Sequence, residues 1–121
     1  MAPKAIVIVE DDPSVAELIQ GVLSEVPSWT TTAVGNGAEA LDIIAQVKID
    51  LVILDYQLPG LNGIEVYDQL RQRLGEAMPA VLFVSSTVPP GALAERGLPA
   101  QLPKPFDLDE LLRRATTLLG D

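Results

Sequence analysis

The sequence predicts an α/β fold in which parallel strands alternate with helices that cover both faces of one sheet. Three observations carry this. Residues 5–9, Leu51–Leu54 and residues 80–84 are short apolar runs rich in β-branched side chains. They are too short for helices and apolar throughout, as strands buried on both faces are. Between them lie longer stretches whose apolar residues recur at helical spacing. No repeat, low-complexity segment or linker interrupts the 121 residues, so 1–121 reads as one domain, long enough to bury a core without staples.

Each element follows in order. Residues 5–9 form the first strand, ended by Glu10, Asp11, Asp12 and Pro13. Asp12 suits the N-cap of a helix and Pro13 its first position. The helix stripe is Val15, Leu18, Ile19, Val22, Leu23 and Val26, closed by Pro27 and Ser28. Trp29–Val34, rich in Thr, is the second strand. Gly35, Asn36 and Gly37 turn the chain into a second helix marked by Leu41, Ile44 and Ala45. Leu51–Leu54, the third strand, ends on Asp55. The loop Pro59, Gly60, Leu61, Asn62, Gly63 leads to a third helix with Ile64, Tyr67, Leu70 and Leu74 inward, Arg71 and Arg73 outward, and Gly75 near its end. Residues 80–84 are the fourth strand, running into Ser85, Ser86 and Thr87. Pro89, Pro90 and Gly91 allow only a short fourth helix, about residues 92–96, before Gly97 and Pro99. Residues 100–102 read as a short edge strand flanked by prolines. Asp107 caps a last helix with the stripe Leu108, Leu111, Leu112, Ala115, Leu118 and Leu119.

Composition narrows the chemistry. The chain has no cysteine and no histidine. That excludes disulfides, thiolate nucleophiles, Cys/His zinc sites, a Ser-His-Asp triad and a phosphohistidine carrier. A net charge of −9 argues against direct contact with nucleic acid or an anionic membrane. No apolar run approaches the roughly 18 residues of a membrane span, and no secretory signal precedes the first strand, so a cytoplasmic location is expected.

Open doubly wound sheets hold ligands beyond the carboxyl ends of their strands, where the strand order reverses. For a flavodoxin-like five-stranded sheet of order 2-1-3-4-5, that point lies between the first and third strands. Glu10 and Asp11 end strand one, Asp55 ends strand three, Ser85 ends strand four and Lys104 follows strand five. All fall on one edge. Taken singly, Ser85 reads as a loop hydroxyl and Lys104 as a solvated charge; together they make a site. Three converging carboxylates repel unless a cation relieves them, and Mg²⁺ takes such oxygen ligands. Asp55 can then act as a nucleophile toward phosphorus, with the metal and Lys104 offsetting phosphoryl charge and Ser85 donating to an oxygen.

The chain resembles the response-regulator receiver family of two-component signalling. The matching stretches are residues 6–13, 35–41, 50–63 and 104–106, which together span nearly the whole sequence. The resemblance implies a phosphoacceptor at Asp55, loaded from a histidine kinase, a phosphotransfer protein or a small donor. It also implies that the only catalysis is the domain's own phosphorylation and dephosphorylation. Mg²⁺ would be held by Asp11 and Asp55, by Glu10 through water and by the backbone carbonyl of Gln57. Ser85 would be the switch hydroxyl and Lys104 the phosphoryl-contacting lysine, with a cis Lys104–Pro105 bond. A downstream protein partner, unnamed by the sequence, would read the state, and homodimerisation on phosphorylation is left open.

Two departures motivate an alternative, a pseudo-receiver that serves as an interaction module with weak or atypical switching. Gln101 stands where the family often has an aromatic residue, and the fourth helix is short or degenerate. Two other readings fail. A haloacid-dehalogenase-like phosphatase usually needs a second Asp where Gln57 stands. A flavodoxin-like FMN site needs a phosphate-cradling loop where Glu10, Asp11 and Asp12 would repel it.

Overall fold

The computed structural model describes residues 3–121. Four strands, β1 (Lys4–Val9), β2 (Trp29–Val34), β3 (Leu51–Leu54) and β4 (Ala80–Phe83), form one parallel sheet in the order β2-β1-β3-β4. The helices are α1 (Pro13–Leu23), α2 (Gly37–Gln46), α3 (Gly63–Leu74), α4 (Ala92–Glu95) and α5 (Leu108–Leu119). A 3-10 turn, Gly75–Ala77, follows α3. This is the flavodoxin-like architecture the alternation predicts.

The fifth strand shrinks to a single parallel bridge between Val84 and Leu102. Leu102 donates its N–H to the Phe83 carbonyl (2.8 Å) and accepts the Ser85 N–H (3.1 Å). Pro99 and Pro103 lack the N–H groups that would extend the ladder, so pairing stops there.

Strand residues alternate between two cores. Val7, Val9, Val52, Leu54, Val81 and Phe83 meet the buried side chains of α2 and α3. Ile6, Ile8, Leu51, Ile53, Leu82 and Val84 meet those of α1 and α5. β2 is an edge strand, and the middle of its Thr-rich run is exposed or half-buried.

Several helix expectations shift. Asp12 caps α1 as expected, accepting the Ser14 N–H at 2.9 Å. α1 nevertheless stops at Leu23, because Pro27 disfavours helical backbone at Val26, which packs on the core from a turn. Its inward face is Ala16, Ile19, Val22 and Leu23, which leaves Leu18 49% exposed. In α2 the buried partner of Leu41 and Ile44 is Ala40, and Ala45 is exposed. In α3 the stripe missed Val66, which is fully buried, while Ile64 is half-buried. Leu108 at the start of α5 is exposed. Asn36 and Asn62 cap α2 and α3, the latter in a capping box with Glu65.

Two glycines are required by close approach. A Cβ on Gly37 would lie 2.4 Å from Val66 Cγ2, and one on Gly63 would lie 2.3 Å from the Asp55 carbonyl oxygen. Gly63 thus lets α3 start against the strand end that carries Asp55.

Candidate functional site

Sheet register builds the site. Val9 pairs with Leu54 and Leu54 with Phe83, so β1, β3 and β4 end level. The next residues are Glu10 and Asp55, with Ser85 one step beyond Val84. The Asp55 N–H donates to the Val9 carbonyl (3.1 Å) and the Glu10 N–H to the Val34 carbonyl (3.0 Å), which fixes both backbones. Glu10, Asp55 and Ser85 are the buried polar residues of the described chain, at 5%, 6% and 1% exposure.

Lys104 reaches back across this edge. Its Nζ donates to Glu10 Oε1 (2.5 Å) and Asp55 Oδ2 (2.9 Å). The remaining carboxylate oxygens take backbone donors: Glu10 Oε2 accepts the Asp12 N–H (3.1 Å) and Asp55 Oδ1 the Gln57 N–H (3.3 Å). The Lys104–Pro105 bond is cis, as expected. Asp11 is exposed, and one oxygen each from Glu10, Asp11 and Asp55 lies within 4.8 Å of the others.

The electrostatics follow from that crowding. Burial pushes the Glu10 carboxyl above its usual range, with Asp55 adding repulsion, although the Lys104 and Asp12 bonds pull the other way. Burial works against the Lys104 ammonium as well, but its bonds to Glu10 and Asp55 outweigh it and hold the charged form. Two buried carboxylates thus share one ammonium, with a third, Asp11, at the exposed rim. The donors are all hard oxygens, which suits Mg²⁺ and not a soft metal, so the residues present fit that ion.

Glu10, Asp11, Asp55 and Lys104 therefore come together as the strand ends predict. Gln57 is exposed, with its backbone N–H on Asp55. Ser85 lies at the same edge but bonds elsewhere: its Oγ accepts the Thr87 N–H (3.4 Å), and its carbonyl accepts Gln101 Nε2 (3.1 Å). Sequence reasoning missed the Gln101 bond, which no local pattern signals. It also missed the two-pronged pair of Arg96 with Asp68 (2.8 and 2.9 Å), which ties the segment after α4 to α3.

A strand-end aspartate flanked by an acidic pair and a lysine, on this sheet, defines a phosphoryl-signalling class of domain. The response regulator receiver domain model matches residues 6–116, and the chain belongs to that family. It is 36% identical over 114 residues to the DNA-binding response regulator MtrA of Mycolicibacterium smegmatis, a match covering 94% of this chain and 50% of that protein. It is 37% identical over 119 residues to response regulator MprA of Mycobacterium sp. (strain KMS), covering 97% and 51%. The chain spans about half the length of these curated relatives. Among solved structures, response regulator TrrA from Thermotoga maritima, in complex with Mg²⁺-BeF, matches with a TM-score of 0.82 at 28% identity, covering 95% of this chain and 98% of that one.

These findings correct one expectation. The acidic charge argued against nucleic acid, yet one relative is named a DNA-binding regulator. Net charge here describes only the surface of these 121 residues, and the exclusion does not stand. Among the described residues no helix is long and apolar enough to cross a membrane.

Proposed function

We propose that residues 1–121 act as one phosphoacceptor unit in which Asp55 takes a phosphoryl group from a histidine kinase, a phosphotransfer protein or a small donor. The observation that carries the reading is the meeting of Glu10, Asp11, Asp55 and Lys104 at one sheet edge. Asp11 and Asp55 would hold Mg²⁺ directly, with the Gln57 carbonyl, and Glu10 would act through water. The ion supplies charge neutralisation on the transferring phosphoryl oxygens. That TrrA was solved in complex with Mg²⁺-BeF supports the choice of Mg²⁺.

An Asp55 carboxylate oxygen attacks phosphorus, and the bond from phosphorus to the donor breaks, its electron pair leaving with the donor. Lys104, already bonded to Asp55, shifts its ammonium to pair with the new phosphoryl oxygens. Ser85 has a buried hydroxyl hydrogen to donate there. Water attack on phosphorus later restores the carboxylate and releases phosphate. Receiver domains are not conventional enzymes, and here the protein is both catalyst and acceptor. The change in charge at this edge would alter contacts with a downstream protein or with a second copy.

Incubation with acetyl phosphate and Mg²⁺ followed by intact-mass measurement tests the reading. One phosphoryl adduct should form in the wild type and none in Asp55→Asn. An unmodified wild type, or an adduct that survives the substitution, would overturn it.

A further inference from the structure

One short segment makes three bonds at the end of β4, two of them to Ser85. Leu102 donates to the Phe83 carbonyl and accepts the Ser85 N–H, and Gln101 Nε2 donates to the Ser85 carbonyl at 3.1 Å. The first two are backbone bonds that almost any residue would make. The third requires an amide donor at position 101. Because the bridge fixes the N–H side of Ser85, backbone adjustment that would re-aim its hydroxyl is left to the Ser85–Ser86 peptide, whose carbonyl Gln101 holds. Meanwhile the Ser85 hydroxyl oxygen accepts the Thr87 N–H, and among the described residues it makes no hydrogen bond to Asp55 or Lys104.

We propose that Gln101 is a positioning residue that latches Ser85 in its resting orientation, so that the hydroxyl engages a phosphoryl group on Asp55 only as the Gln101–Ser85 bond yields. The proposal rests on the phosphoacceptor reading and adds its regulation. The latch makes engagement costlier by about one net hydrogen bond. Removing the donor should therefore tighten binding of a phosphoryl mimic by about two- to tenfold.

The probe is BeF₃⁻ with Mg²⁺, titrated into the full chain while the Thr87 amide resonance is followed by NMR. Gln101→Met keeps the length of the side chain and removes its donors; Gln101→Leu is a second variant should the first fold poorly. Both should bind BeF₃⁻ severalfold more tightly than wild type. In the free protein, both should move the Thr87 resonance toward its BeF₃⁻-bound position, since that amide reports the Ser85 hydroxyl. In a Ser85→Ala background, Gln101→Met should leave the affinity unchanged, because no hydroxyl remains to be released. Unchanged or weaker binding, or the same gain without the hydroxyl, would overturn the latch. The Thr87 shift in the free protein decides the latch by itself, and an unmoved resonance also overturns it. A wild type that binds no BeF₃⁻ overturns instead the phosphoacceptor reading.

Discussion

Gly63→Ala joins the fold to the site and can be worked from distances. The added Cβ would sit 2.3 Å from the Asp55 carbonyl oxygen, 2.9 Å from Tyr56 Cα and 2.9 Å from Phe83 Cε2. A carbon–oxygen contact normally stays beyond about 3.3 Å, so about 1 Å of relief is needed. Two of the three atoms are backbone, and Phe83 is fully buried, so no side chain can simply swing away. Overpacking of this kind costs about 3 kcal/mol, and alanine's better helix propensity returns at most about 1 kcal/mol. A net loss of about 2 kcal/mol should lower Tm by about 8 °C and the urea midpoint by about 1 M. Because the displaced atoms belong to Asp55 and Tyr56, the yield of aspartyl phosphate should fall as well. Gly21→Ala is the matched control, since a Cβ there meets nothing within 4 Å in the last turn of α1. It should gain about 0.5–1 kcal/mol. A Gly63→Ala midpoint within about 0.5 kcal/mol of wild type, which is the ordinary surface scatter, would refute the close-approach argument.

Mg²⁺ at a hundred times its Kd should stabilise the wild type by about 2.7 kcal/mol, and Asp11→Ala should lose most of that gain while keeping its metal-free Tm; an equal Mg²⁺ response in both would remove Asp11 from the cation site. Arg96→Gln breaks a surface pair with Asp68 and should cost at most about 1 kcal/mol at pH 7. The Arg96 bond holds the Asp68 carboxyl below its ordinary value of 3.8, so its contribution is complete above that pH and is lost as pH falls through the lower folded value. Urea midpoints of wild type and Arg96→Gln should therefore converge in acid, and a gap that persists there would count against the pair. Glu10 has the opposite sign. Burial raises its pKa in the folded state, so its ionisation destabilises the fold at pH 7 and the cost disappears as pH drops below 4.5. Glu10→Gln should be the more stable protein at pH 7, with the advantage narrowing at pH 4; a Gln variant that is weaker at pH 7 would show that the Lys104 pair outweighs burial.

The parts of the fold legible in the sequence are those set by local pattern. The three apolar strands, the Asp12 cap and the proline-limited α4 all follow from short-range sterics and hydrogen bonding. That Glu10 and Asp55 meet at one edge was legible because each directly follows an apolar strand, and the parallel pairing of β1 with β3 brings the two strand ends level. What escaped was set by partners distant in sequence. Leu18 and Val66 exchange the roles that helical spacing suggests, because the sheet and the facing helix decide which face is buried. The fifth strand is cut to a single bridge for a local reason already in view, the two prolines around it. The Gln101 amide found a partner sixteen residues away in Ser85, and a composition-based reading could register only that it was not aromatic.

The position of Lys104 explains why a site this costly persists in the folded protein. Glu10 and Asp55 are both buried, and Lys104 bonds an oxygen of each; their other oxygens take backbone N–H groups. Asp11 stays in water, where its charge costs least. The lysine thus offsets part of the charge on the buried side of the cluster, and Asp11 presents its carboxylate to solvent beside it. On the phosphoacceptor reading this divides the labour. The lysine keeps the strand ends together before any ligand arrives, and a cation approaching past Asp11 meets carboxylates already fixed in place. Lys104 can then transfer its bond from Asp55 to a phosphoryl oxygen with little reorganisation, because Glu10 still anchors it.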